Sequence, residues 1–126
     1  MAISVEDLMA DARLHVESLS PAEARDAISA GAILIDTRCS ADREAEGVVP
    51  GSVQHHRTVL EWRLDPESES HDRAVADRSL RHIIMCNDGY SSLLAAGNLA
   101  RMGFERIGHL DGGYRGWKAA GLPAQS

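Results

Sequence analysis

The sequence lacks any apolar run of about 18 residues, the length a membrane-spanning helix needs. It also lacks the basic segment followed by an apolar stretch that marks a secretory signal, since MAISVEDLMADARLHVES carries acid early. A cytoplasmic protein with no membrane partner is therefore expected. Only two cysteines are present, Cys39 and Cys86, too few for a disulfide scaffold and in keeping with a reducing compartment. Aromatics are scarce, and the 13 basic side chains are outnumbered by 19 acidic ones, for a net charge of −6. That balance excludes the basic stripe of a nucleic-acid surface. It gives no long-range help to an anionic substrate either, so any anion site has to be local. Repeats, low-complexity tracts and Gly/Ser linkers are absent.

What is there reads as one domain over residues 1–126. Hydrophobic residues make up 44% and charged residues 25%, the proportions of an ordinary globular domain, and this length buries a core without staples. Residues 1–19 are expected to form an N-terminal helical extension. Residues 65–80, opening with Asp65-Pro66-Glu67-Ser68-Glu69-Ser70-His71-Asp72, read as a solvated surface excursion.

Between these the pattern alternates. Ser20-Pro21-Ala22-Glu23 combines an N-cap, a proline at the first helical position and a glutamate three on, a capping box. Gly31 sits where the helix should stop. Ala32-Ile33-Leu34-Ile35 then forms a short continuous apolar run, as does His82-Ile83-Ile84-Met85, and each reads as a strand covered on both faces. Val53 opens a further short strand after the turn Val49-Pro50-Gly51-Ser52. A helix with an apolar arc from Leu93 to Met102 follows, capped by Ser91 or Ser92 and closed by Gly103. Arg106-Ile107-Gly108-His109-Leu110 is a third long strand, and Asp111-Gly112-Gly113 turns into a last helix containing Trp117. Strands alternating with helices imply parallel pairing through right-handed crossovers, an α/β fold with an open sheet and helices on both faces.

In such sheets the site lies at the carboxyl ends of the strands. Cys86 stands there, at the head of the loop Asn87-Asp88-Gly89-Tyr90-Ser91-Ser92. A helix N-terminus and inward-pointing amides stabilise a thiolate, and Gly89 lets the loop curl into an anion-binding nest. The plainer reading is a small hydrophobe finishing a buried strand.

Three segments resemble the rhodanese family of sulfurtransferases. They are Leu34-Ile35-Asp36-Thr37-Arg38 with Gly47-Val48-Val49-Pro50-Gly51-Ser52, the loop Cys86-x-x-Gly89-x-Ser91-Ser92, and His109-Leu110-Asp111-Gly112-Gly113-Tyr114-Arg115-Gly116-Trp117 with Gly121-Leu122-Pro123. The resemblance implies a five-stranded parallel sheet and Cys86 as a nucleophile that carries sulfur as a persulfide. A small donor such as thiosulfate would load it, and a thiol or protein cysteine would unload it. Loop residues Asn87, Asp88, Gly89, Tyr90, Ser91 and Ser92 would hold the persulfide. Asp36 and Arg38 would organise polar contacts around the first motif, while Gly112, Gly113 and Trp117 would shape the fold. No metal, nucleotide or flavin cofactor is implied.

The loop departs from many relatives in having no basic residue and in carrying Asp88, which should raise the thiol pKa and repel anions. Arg38, Arg57 and Arg63 are candidates to supply the missing charge. Cys39 lies after the first motif and is a candidate to resolve a Cys86 persulfide by forming a Cys39–Cys86 disulfide; an incidental loop position is the simpler account. The rival functions are a silent rhodanese-like binding module and a cysteine phosphatase or arsenate reductase. The latter chemistries need an arginine six positions after the cysteine, where this sequence has Ser92. The six histidines show no paired ligand spacing, so no metal site is expected.

Overall fold

The computed structural model describes all residues from Met1 to Ser126. Five strands, β1 (Glu17–Leu19), β2 (Ile33–Asp36), β3 (Val53–Gln54), β4 (Arg81–Met85) and β5 (Arg106–Leu110), form one sheet in the order β1-β5-β4-β2-β3. Every neighbouring pair is parallel. The α/β class and five-stranded open sheet expected from the sequence are what the chain forms. Six helices pack around it: α1 (Val5–Arg13), α2 (Pro21–Ser29), α3 (Ser40–Glu46), α4 (Leu60–Leu64), α5 (Ser91–Arg101) and α6 (Gly113–Ala119). None is long and apolar enough to cross a membrane.

The core divides by sheet face, as the alternation of side chains along each strand requires. Ile35, Ile84 and Ile107 face α1, α4 and α5, packing with Met9, Leu60, Leu93 and Leu99. Leu34, Ile83, Met85 and Leu110 face α2 and α6, packing with Ala24, Ala27, Tyr114 and Trp117. With both faces covered, β4 is apolar from Ile83 to Met85.

The Ser20–Glu23 capping box forms as the sequence reads, with Glu23 N–H donating to Ser20 Oγ at 3.2 Å and Ser20 N–H to Glu23 Oε1 at 2.9 Å. Three local readings need correction. The N-terminal segment is not helical to residue 19: α1 ends at Arg13, and Glu17–Leu19 leaves it to pair with β5 as an edge strand. Its three residues are too short for a period to register. Neither Ser91 nor Ser92 caps α5, whose first residue is Ser91, and the Ser92 hydroxyl is used elsewhere. The 65–80 excursion is not wholly wet either. Val75 is buried, and its carbonyl accepts a hydrogen bond from buried His82 at 2.7 Å.

Candidate functional site

β4 delivers Cys86 to the carboxyl edge of the sheet at its centre. The residue is 7% exposed and looks into a cavity of about 330 Å³. The loop curls back under the sulfur. Gly89 N–H reaches Cys86 Sγ at 3.1 Å and Ser92 N–H at 3.4 Å, while the Ser92 hydroxyl lies 3.3 Å away. Gly89 has φ +94°, and a Cβ there would sit 2.9 Å from the Gly112 nitrogen, so only glycine fits this bend. Burial, the largest influence on the thiol, disfavours the thiolate. The hydroxyls of Ser92 and Ser91 and the amides of Ser92 and Gly89 together outweigh it and hold the thiol below its ordinary range.

The loop is held from outside by α6. Tyr114 N–H donates to the Cys86 carbonyl at 2.8 Å and Arg115 N–H to that of Asn87 at 3.1 Å. On the β2 side, Thr37 continues the ladder to Met85 through both its amide (2.9 Å) and its hydroxyl (2.8 Å). These bonds fix the two strand ends that flank the cavity.

Of the residues singled out in the sequence, Cys86, Asn87, Asp88, Tyr90, Ser91 and Arg38 line the cavity. Gly89 and Ser92 reach the sulfur as described. Tyr90 stands 72% exposed at the rim. Asp36 does not line the cavity: fully buried, it accepts from Arg38 N–H (3.0 Å), Nε (3.1 Å) and Nη2 (2.9 Å) and from Arg43 Nε (3.0 Å). Arg38 also donates Nη2 to the Gly47 carbonyl at 2.8 Å, and its guanidinium lies 3.9 Å from the Tyr114 ring centre. Its Nε and Nη2 are thus committed, while its buried Nη1 has no hydrogen-bond partner. Arg57 pairs with Glu61 at 3.0 Å and Arg63 donates to the Ser70 carbonyl at 2.9 Å; neither lines the cavity.

The basic group that the loop lacks comes instead from α6. Arg115 donates Nη1 to Asp88 at 2.8 Å while its Nε and Nη2 grip Glu46, each at 2.9 Å. The sequence offers Arg38, Arg57 and Arg63 to offset Asp88; the side chain that meets it is Arg115. Arg115 lies in the C-terminal Gly-Gly-Tyr-Arg segment, where a glycine-turn reading hid its reach. Asp42 is another residue that sequence reasoning passed over. Hydrogen bonds from Asn87 (2.9 Å) and from the Cys39 thiol hold its carboxyl below the usual range, and both Asp42 and Cys39 line the cavity. The sequence places His109 on a strand, at the head of the third family-like segment and among the histidines without ligand spacing, and gives it no role at the site. A polar side chain in an apolar strand was its signal, and it bonds Ser92 Oγ through Nδ1 at 3.2 Å.

Comparison with known proteins agrees with this geometry. Residues 20–120 match the family described as Rhodanese-like domain. The chain belongs to the rhodanese-like family. It is 35% identical over 101 residues to the thiosulfate sulfurtransferase GlpE of Ectopseudomonas mendocina (strain ymp), covering 80% of this rhodanese-like chain and 84% of that protein. Among solved structures, a Rhodopseudomonas palustris CGA009 protein of unknown function, termed a possible tyrosine phosphatase, superposes with a TM-score of 0.90. It is 26% identical, with 99% of this chain and 96% of that one covered. The polysulfide-sulfur transferase homodimer of Wolinella succinogenes shares the rhodanese-like fold, with a TM-score of 0.70 at 23% identity over 96% of this chain and 83% of that one.

Proposed function

We propose that the protein is a sulfurtransferase in which Cys86 carries a sulfane sulfur between a donor and a thiophilic acceptor. The observation that carries this reading is the cluster of polar groups on one sulfur: two donating amides and the Ser92 hydroxyl within 3.4 Å of Cys86 Sγ, at the floor of an open cavity. A cysteine that merely filled space would need none of them. The name of the 35% identical relative supports the same chemistry.

In the first half-reaction the Cys86 thiolate attacks the outer sulfur of a donor such as thiosulfate. The donor's sulfur–sulfur bond breaks, sulfite leaves with its electron pair, and a Cys86 persulfide remains. In the second, a thiol, a protein cysteine or cyanide attacks the outer persulfide sulfur and regenerates the thiolate. The two steps form a ping-pong cycle. Asn87, Asp88, Gly89, Tyr90, Ser91 and Ser92 wrap the persulfide, and the amides of Gly89 and Ser92 stabilise its charge as an oxyanion hole would. Asp36 and Arg38 hold the neighbouring loop in place.

Phosphatase chemistry fits this loop less well. The position six after the cysteine is Ser92, which gives one hydroxyl where a two-pronged clamp on an oxyanion is needed. A binding module without catalysis has no use for a depressed thiol. Intact-protein mass spectrometry after incubation with thiosulfate or a persulfide donor tests the proposal. Wild type is expected to gain one sulfur atom and Cys86→Ser none; a reactive thiol that gains no sulfur from either donor would refute it.

A further inference from the structure

The Cys86 thiol is bonded on its inner side to a line of groups that leads away from the cavity. Cys86 Sγ meets Ser92 Oγ at 3.3 Å, Ser92 Oγ meets His109 Nδ1 at 3.2 Å, and His109 Nε2 meets Ser18 Oγ at 3.1 Å. Ser92 and His109 are buried at 0% and 3% exposure, whereas Ser18, on the edge strand β1, is exposed. We propose that Ser92, His109 and Ser18 form a proton wire that takes the Cys86 thiol proton along the α5 face of the sheet to solvent at the β1 edge, His109 changing tautomer as the proton passes. This rests on Cys86 being the reacting thiol.

The balance of the step is simple. In the thiol state Cys86 S–H donates to Ser92, the Ser92 hydroxyl donates to His109 Nδ1, and His109 Nε2–H donates to Ser18. Each donor then passes its proton one place along, and Ser18 releases its own to water. In the thiolate state every bond runs the other way: Ser18 donates to Nε2, Nδ1–H donates to Ser92, and the Ser92 hydroxyl donates to the thiolate. One proton has left, and the imidazole is neutral before and after.

A histidine suits this task because it alone has one donor and one acceptor nitrogen that can exchange roles. Burial, the largest influence, holds His109 below the usual imidazole range, so it passes a proton on rather than keeping it; Asp111 on its own chain segment pulls the other way, and Arg13 at the end of α1 adds to the depression. Ser92 faces it from α5, Ser18 from β1, and on β4 its register partner is apolar Ile84. The route has a use. A bound donor fills the cavity mouth, and a thiol that loses its proton inward does not need solvent on the side where substrate sits.

The test is nitrogen NMR of the full chain with labelled histidine, recorded across the Cys86 titration followed by thiolate ultraviolet absorbance. His109 is expected to carry its proton on Nε2 below the thiol midpoint and on Nδ1 above it, and the switch should vanish in Cys86→Ser. Ser92→Ala, a small change, should abolish the response of His109 and raise the midpoint of Cys86 alkylation by about one pH unit, tenfold less thiolate at a given pH. A single His109 tautomer across the titration, an imidazolium that forms in step with the thiolate, or an unmoved alkylation midpoint in Ser92→Ala would each overturn the wire. No sulfur donor enters this experiment, so its failure is separate from any failure of Cys86 to accept sulfur.

Discussion

Gly113 lies against the carbonyl of Cys86. A Cβ built on Gly113, which has φ +63°, would fall 2.6 Å from that oxygen and 2.5 Å from the carbonyl carbon and oxygen of Asn87. The first turn of α6 can therefore touch the Cys86 backbone only if residue 113 has no side chain. From this contact Tyr114 N–H bonds the Cys86 carbonyl.

Gly113→Ala is accordingly expected to push α6 off the loop and spoil the amide cradle. Backbone atoms are the obstacle, so no side chain can swing aside. We expect persulfide formation to fall by at least tenfold with a clear loss of stability, the strained φ alone costing about 1 kcal/mol or more. Normal single-turnover persulfuration in this variant would show that the close approach is unimportant.

How much of this was legible in the sequence follows from distance along the chain. The capping box, the β2 and β4 apolar runs and the Cys86 loop are local patterns, and each forms where its pattern lies. Strand β1 was missed because three residues carry no period, and its pairing with β5 is set across some ninety positions of chain. The same limit hid the site's electrostatics. Arg115 meets Asp88 from 27 residues away, and Asp42 meets Asn87 from 45. Neither pairing has a local signature, whereas Cys86 and its loop are contiguous.

The Arg115–Asp88 contact predicts how the cavity treats anionic donors. Arg115→Ala leaves Asp88 on the cavity wall, and Glu46 beside it, without their ion-pair partner. Turnover with thiosulfate should drop severalfold, and the drop should shrink as salt is raised, because exposed charges are screened over about 10 Å at 0.1 M ionic strength. Asp88→Asn frees Arg115 Nη1 and should raise the same rate modestly. Steady-state rates at low and high salt check both, and equal rates in the three proteins would dismiss the charge argument.

Asp36 predicts a stability effect without a direct chemical one. Its carboxylate is fully buried and answers two guanidiniums, those of Arg38 and Arg43. Asp36→Asn leaves buried Arg38 short of its counter-charge, a change of the kind that costs about 3–5 kcal/mol. Urea unfolding should show that loss. Arg38→Lys should show a smaller one, since it keeps the charge but not the two-pronged contact. If Asp36→Asn unfolds at the wild-type midpoint, the network is not holding the first motif's loop.

His82 and His109 together set the response to mild acid. Burial is the main cause in both, and each is held below the ordinary imidazole range. In the unfolded chain both take up a proton near pH 6.5, whereas the folded chain resists until lower pH. The unfolded state thus binds more protons in that window, so folding stability is full above about pH 6.5 and declines as pH falls toward the folded values. The depressed carboxyls of Asp42, Glu46, Asp72 and Asp77 act the same way, but only at more acidic pH, below their own unfolded values. His82→Gln, which keeps a donor for the Val75 carbonyl, should be less stable at neutral pH yet lose less on going from pH 7.5 to 5.5. Urea midpoints measured across that interval decide it: curves that stay parallel for wild type and variant would mean that His82 does not contribute to the acid response.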